Sequence, residues 1–217
     1  MTLAPVAVLP LAAVCGITVW LGDRALTPLL TAVLAVAVLA LGSGGLHLDG
    51  LADTADGLAV PGDRARRLQV MRAGDVGPAG AATLILVLLV QVTALSDVIA
   101  RGGVEAAVTA GLAVVVSRAS VTLACTSGIP GARGDGLGSA VAGSVPRPVA
   151  LLVLAGLVAS AWLVNGIPGL VGILVASVGV GVVLLRAWQR LGGVTGDVLG
   201  ACVELALAGY LVAQVVG

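Results

Sequence analysis

The sequence predicts an all-α, polytopic membrane protein of about seven transmembrane helices. It reads as a single integral membrane domain over residues 1–217, with an acidic active site at its cytoplasmic face. Three observations predict this fold. The chain is 59% hydrophobic and only 10% charged, with a mean hydropathy of +1.16, whereas soluble domains carry about 25% charged residues. Its apolar runs are long enough to cross a bilayer, which takes about 20 residues as a helix. Its arginines are sorted onto alternate loops, as the positive-inside rule requires.

The runs fall at 3–21, 25–42, 79–96, 104–123, 148–164, 167–185 and 198–216. A soluble helical core is excluded, because these stretches have no polar face to present to water. The first run is expected to remain in the protein. Met1-Thr2-Leu3-Ala4-Pro5 has no basic region of the kind that opens a signal peptide. With seven crossings, the loops around 43–78, 124–147 and 186–197 share one side. They hold or adjoin Arg64, Arg66, Arg67, Arg72, Arg118, Arg133, Arg147, Arg186 and Arg190, against Arg24 and Arg101 opposite. The arginine-rich side is therefore cytoplasmic, and the protein is expected as a multi-pass component of the cell (cytoplasmic) membrane. The lipid bilayer is its first partner. A formal net charge of zero gives no nucleic-acid footprint. Cys15, Cys125 and Cys202 lie scattered in apolar surroundings and read as small buried hydrophobes.

The acidic residues cluster on the cytoplasmic side as well, which the positive-inside rule does not explain. The densest segment is His47-Leu48-Asp49-Gly50-Leu51-Ala52-Asp53-Thr54-Ala55-Asp56-Gly57, after the permissive backbone Gly42-Ser43-Gly44-Gly45. Asp49, Asp53 and Asp56 share one face of a helix, within roughly 60° at 3.6 residues per turn. Like charges so placed call for a cation. Mg²⁺ suits them, since it takes oxygen ligands and is typically held by one or two carboxylates plus substrate phosphates. His47, the single histidine, points away from that face. It serves as a general base if the helix unwinds near Gly45 or Gly50, or else orients backbone or substrate.

Pro61-Gly62 ends this helix and Asp63 caps a short basic one, whose Arg64, Arg66 and Arg67 are expected in solvent or against headgroups. Arg72 and Asp75 occupy a glycine-bracketed turn suited to gripping a phosphate. Arg118 lies inside an apolar run and needs a carboxylate or phosphate partner. Around Arg133, the glycines of Gly134-Asp135-Gly136-Leu137-Gly138 let backbone N–H groups approach an anion. Thr195 caps the last helix, placing Asp197 in its first turn. Glu204 shares that face about 10 Å deeper, at 1.5 Å per residue. It either completes the metal set with Asp197 or pairs with Arg118.

Taken together, these segments resemble the cobalamin synthase (adenosylcobinamide-GDP ribazoletransferase) family. The resemblance rests on His47 to Gly57, on Met71-Arg72-Ala73-Gly74-Asp75-Val76-Gly77-Pro78-Ala79-Gly80, on Gly136-Leu137-Gly138, and on Gly192-Gly193-Val194-Thr195-Gly196-Asp197-Val198-Leu199-Gly200. It implies a Mg²⁺-dependent membrane transferase that joins adenosylcobinamide-GDP to α-ribazole or α-ribazole 5′-phosphate. The products are adenosylcobalamin or its 5′-phosphate, and GMP. Asp49, Asp53 and Asp56 then hold the ion, one aspartate or His47 takes the attacking hydroxyl proton, and Arg72, Arg118 or Arg133 hold phosphate oxygens. A homo-oligomer is compatible with this sequence. The rivals are a phosphotransferase of the CDP-alcohol kind and a cation-coupled transporter. The first lacks its DG-x-x-AR spacing here, and the second expects its acids at the bilayer midplane.

Overall fold

A computed structural model describes residues 1–216. The helices are α1 (Ala4–Ala7), α2 (Leu9–Ala25), α3 (Pro28–Gly42), α4 (Leu46–Ala59), α5 (Arg64–Val70), α6 (Pro78–Ala100), α7 (Gly103–Ala124), α8 (Gly136–Val141), α9 (Arg147–Leu191) and α10 (Gly196–Val215). Proline occupies the first turn of α2, α3, α6 and α9, where its missing N–H is not needed. Thr27, Asp63 and Thr195 cap α3, α5 and α10 by accepting the N–H of Leu30, Arg66 and Val198. Among the described residues there is no strand, only isolated parallel bridges between Thr126 and Val145 and between Gly131 and Val194.

The expected all-α membrane architecture is present at a coarser level than seven spans. Helices α6, α7, α9 and α10 are long and apolar enough to cross a membrane, and α3 with α4 forms a pair bent by 87° that makes a fifth if counted as one. Helices α2 and α3 have 17 and 15 residues. At 1.5 Å per residue they fall short of a hydrocarbon core about 30 Å thick. The separate runs at 148–164 and 167–185 lie in α9, which breaks at Gly166 (φ 58°, ψ −133°). Leu154 and Val180 line one small cavity together, although a straight helix would separate them by about 39 Å. Helix α9 therefore folds back on itself at Gly166. Asn165 closes the bend, donating to Thr109 Oγ1 at 2.7 Å and accepting from the Tyr210 hydroxyl at 3.0 Å.

Helix α10 is the central post, packed against α4, α6, α7 and α9. Small residues let its neighbours approach, as in membrane helix pairs generally. A Cβ on Gly209 would meet Ala176 N at 3.2 Å. The outer surface carries Leu41, Leu152 and Leu163 at 82%, 72% and 82% exposure. Large apolar side chains facing outward in this number mark a lipid-facing surface rather than a watery one.

Candidate active site

The site begins with the turn that admits α4. Gly44 and Gly45 take φ of 60° and 75°, a left-handed pair that glycine adopts without strain. They turn the chain sharply from α3 into α4. Helix α4 then lies against the start of α10, with Gly50 at the closest approach. A Cβ there would stand 2.7 Å from Asp197 O and 2.9 Å from Asp197 Cα. Gly200 does the same one turn along α10, 3.1 Å from His47 Cα. This double-glycine seam joins the carboxylates of α4 to Asp197.

Asp53 sits at the centre of the group, 8% exposed. Helix α4 is not one of the helices that cross the membrane by itself. Burial, followed by the charges of Asp49, Asp197 and Asp56, pushes the Asp53 carboxyl up to about 6, while Arg133 opposes the rise. Asp197 accepts from the Thr195 hydroxyl at 3.2 Å and lies 3.7 Å from Arg133 Nη1. Arg133 also donates from Nη2 to Leu68 O at 3.3 Å, and its buried Nε has no partner. The loop bearing Arg133 is tied to the segment before α10 by Ala132 N–H donating to Val194 O at 2.8 Å and Val194 N–H donating to Pro130 O at 2.9 Å. Gly138 packs on Thr195, where a Cβ would stand 2.6 Å from its Cα. Asp49, Asp53, Asp197, Arg133 and Thr195 therefore lie together, with Gly138 as packing beneath them.

Asp56 belongs to the same face but has another engagement. Its carboxylate accepts the N–H of Gly77 at 2.7 Å and of Gly80 at 2.9 Å. These are donors at the start of α6 that the helix itself leaves unpaired. A Cβ on either glycine would collide with the carboxylate. The C-terminal end of α4, beside Asp56, is closed by Arg67, 5% exposed, whose Nη1 donates to Gly57 O at 3.1 Å and Leu58 O at 2.7 Å. Arg67 was expected in solvent. It is buried instead because the last carbonyls of a helix attract a cation. Arg64 stays exposed, as expected, while donating to Ala132 O at 2.6 Å.

His47, Arg118 and Glu204 form a separate, deeper group. Arg118 Nη1 lies 2.6 Å from His47 Nδ1 and 3.2 Å from Nε2. Arginine is only a donor, so the imidazole nitrogen it meets accepts. Burial, then the Arg118 charge, lowers the His47 pKa to about 4 and keeps the ring neutral. Glu204, expected with the metal set or with Arg118, lies near Arg118 and accepts from Gln91 Nε2 at 2.8 Å. The same amide donates to Glu204 O at 3.1 Å. Gln91 was not singled out in the sequence. The signal was there: a lone amide in the middle of an apolar run needs a partner.

Nearer the surface, Arg72 Nη2 meets both oxygens of Asp135 at 2.7 and 3.0 Å, with both side chains exposed. Asp75 is exposed in the turn before α6, and Gly136 opens α8 with φ 82°. Two cavities flank α5 and share Gln69. One, of about 490 Å³, is walled by Ala59, Val60, Val70, Ala73 and Pro78 and reaches Asp56. The other, of about 600 Å³, is lined by Leu68, Arg72, Arg133 and Asp135. Among the described residues, no three His, Cys, Asp or Glu side chains converge closely enough to hold a metal ion by themselves.

Known proteins give this arrangement its context. The chain is 45% identical over 214 residues to an adenosylcobinamide-GDP ribazoletransferase of a Nocardioides species, covering 98% of this chain and 85% of that protein. It is 46% identical over 205 residues to the enzyme of that name from Frankia casuarinae, covering 88% and 72%. With that of Pseudomonas entomophila it shares 43% over 206 residues, covering 91% and 81%. No solved structure matches the chain. The model of the cobalamin-5-phosphate synthase family matches residues 1–215, and the chain belongs to that family.

Proposed function

We propose that the protein is a membrane transferase that joins adenosylcobinamide-GDP to α-ribazole or its 5′-phosphate, releasing GMP. The observation that carries this reading is the seam of α4 and α10. It gathers Asp49, Asp53 and Asp197 beside Arg133, whose buried Nε is unpartnered. A buried N–H without a partner costs about 1–3 kcal/mol, and a phosphate oxygen would satisfy it.

The donor set fits Mg²⁺ in one specific way. All its ligands are oxygens, and too few meet to complete a shell, which leaves positions for substrate phosphates. One or two of Asp49, Asp53 and Asp197 would hold the ion together with substrate phosphates, and when bound it would neutralise the diphosphate and the departing charge. Asp56 is already committed to the start of α6 and acts as a brace. The ribazole 3′-hydroxyl oxygen bonds to the cobinamide-linked phosphorus as the bridging P–O bond breaks and GMP leaves. A carboxylate of α4 takes the hydroxyl proton, since His47 is held away on Arg118. Arg133 orients the phosphate oxygens.

The chain crosses the membrane seven times in this reading: α6, α7, the two arms of α9 and α10 are joined by α2 and α3, whose 17 and 15 residues cross where the bilayer thins locally to meet them. The fold-back at Gly166 supports it, and the arginine distribution supports a site open to the cytoplasm. The test is purified protein in detergent with Mg²⁺ and both substrates. The expected result is GMP release in step with formation of the cobalamin product. Absence of GMP from folded, monodisperse protein would overturn the reading.

A further inference from the structure

We infer that α5 separates the two substrates, with the apolar cavity taking the benzimidazole base of α-ribazole and the arginine-lined cavity taking the nucleotide diphosphate. The inference rests on the proposed function. The two cavities share one wall residue, Gln69, yet differ in chemistry. The first is walled by aliphatic side chains of α4, α5 and the start of α6. Its Asp56 has both oxygens bound to backbone N–H groups, which leaves Arg66 and Asp75 as the exposed charges among its lining residues. At about 490 Å³ it lies within the roughly 300–1,000 Å³ typical of small-molecule sites. A flat, largely apolar bicyclic base suits such walls, and a diphosphate does not.

The second cavity has the opposite character. It is lined by Arg133 and Arg72. The Arg72–Asp135 pair is exposed on both sides. Such pairs are worth about 0–1 kcal/mol, so Arg72 can leave Asp135 for a phosphate. Each cavity reaches toward the carboxylate seam through one lining residue. Asp56 in the first lies one turn from Asp53, and Arg133 in the second stands 3.7 Å from Asp197. Substrates seated on the two sides of α5 would bring their reacting ends to the same carboxylates. Arg66, at the margin of the apolar cavity, is the group placed to favour the 5′-phosphorylated form.

The experiment fills the apolar cavity from two different elements, with Ala73→Trp in the turn before α6 and Ala59→Leu at the end of α4. Steady-state kinetics with each substrate varied in turn should show KM for α-ribazole raised about tenfold, equivalent to 1.4 kcal/mol. KM for adenosylcobinamide-GDP and kcat should be unchanged. Arg72→Ala should do the reverse and raise only the KM for adenosylcobinamide-GDP. Unmoved α-ribazole KM in both cavity-filling variants, or both KM values rising together in folded protein, would overturn the assignment. Wild-type protein that turns over neither substrate would overturn the proposed function instead. Should Ala73→Trp not fold, Ala59→Leu carries the same readout.

Discussion

Asp56→Asn separates a brace from a metal ligand. In the structure each carboxylate oxygen accepts one N–H at the start of α6, from Gly77 and Gly80. Asparagine keeps one acceptor and replaces the other with an NH₂ that faces a donor. One N–H is left unsatisfied, at about 1–3 kcal/mol, and a favourable charge at the α6 N-terminus is lost, at about 0.3–1 kcal/mol. A loss of about 2 kcal/mol follows. For a chain of this size that lowers the melting temperature by about 4–8 °C. The assay is thermal unfolding in detergent, paired with a Mg²⁺ titration of activity at a temperature where the variant stays folded. The expected result is a lower Tm with an unchanged Mg²⁺ requirement, whereas Asp53→Asn raises that requirement. A variant with wild-type Tm and a raised Mg²⁺ requirement would refute the reasoning and make Asp56 a ligand.

Three further outcomes follow from the same geometry. Gly50→Ala places a methyl 2.7 Å from Asp197 O, and overpacking of this kind costs about 1–3 kcal/mol. It should part α4 from α10 and abolish most GMP release, with the change in helix spacing read by cross-linking across the seam. Asp53, with its pKa raised to about 6 by burial and neighbouring carboxylates, binds its proton more tightly folded than unfolded. Its contribution to stability is therefore full below the unfolded value near 3.8 and is lost as pH rises through about 6. Metal-free protein should melt higher at pH 5 than at pH 7, and Asp53→Asn should flatten that difference. Gln91→Leu leaves the Glu204 carboxylate without its amide donor, and should lower the melting temperature while leaving the Mg²⁺ requirement of the remaining activity unchanged.

The legible parts of the site were those with a local cause. Asp49, Asp53 and Asp56 repeat at helical spacing, and Thr195 with Asp197 announces a helix start, so each was readable from its neighbours. Seven apolar runs were readable by the same token. That two of them would emerge as one broken helix depended on Gly166 and on Asn165 meeting Thr109 and Tyr210, partners 56 and 45 residues away. Arg67 was misread because its partners are the end carbonyls of the preceding helix, and nothing in Arg64-Ala65-Arg66-Arg67 marks which arginine turns inward. Gln91 escaped notice because one amide in an apolar run has meaning only once Glu204 is known to face it.

The sequence by itself determined the apolar helical character, the clustering of the arginines between apolar runs, the acidic motif and, through those motifs, the family. These are properties of composition and short-range spacing, which act before the chain is folded. Only the tertiary structure decided how the acids divide. Asp56 caps α6, Glu204 turns to Gln91, and Asp53 and Asp49 are left to face Asp197 and Arg133. That division depends on where helices cross, and the crossings are set by glycines whose missing Cβ lets one particular backbone come close: Gly50 against Asp197 and Gly200 against His47. A glycine's effect on packing is invisible until the neighbour it admits is known.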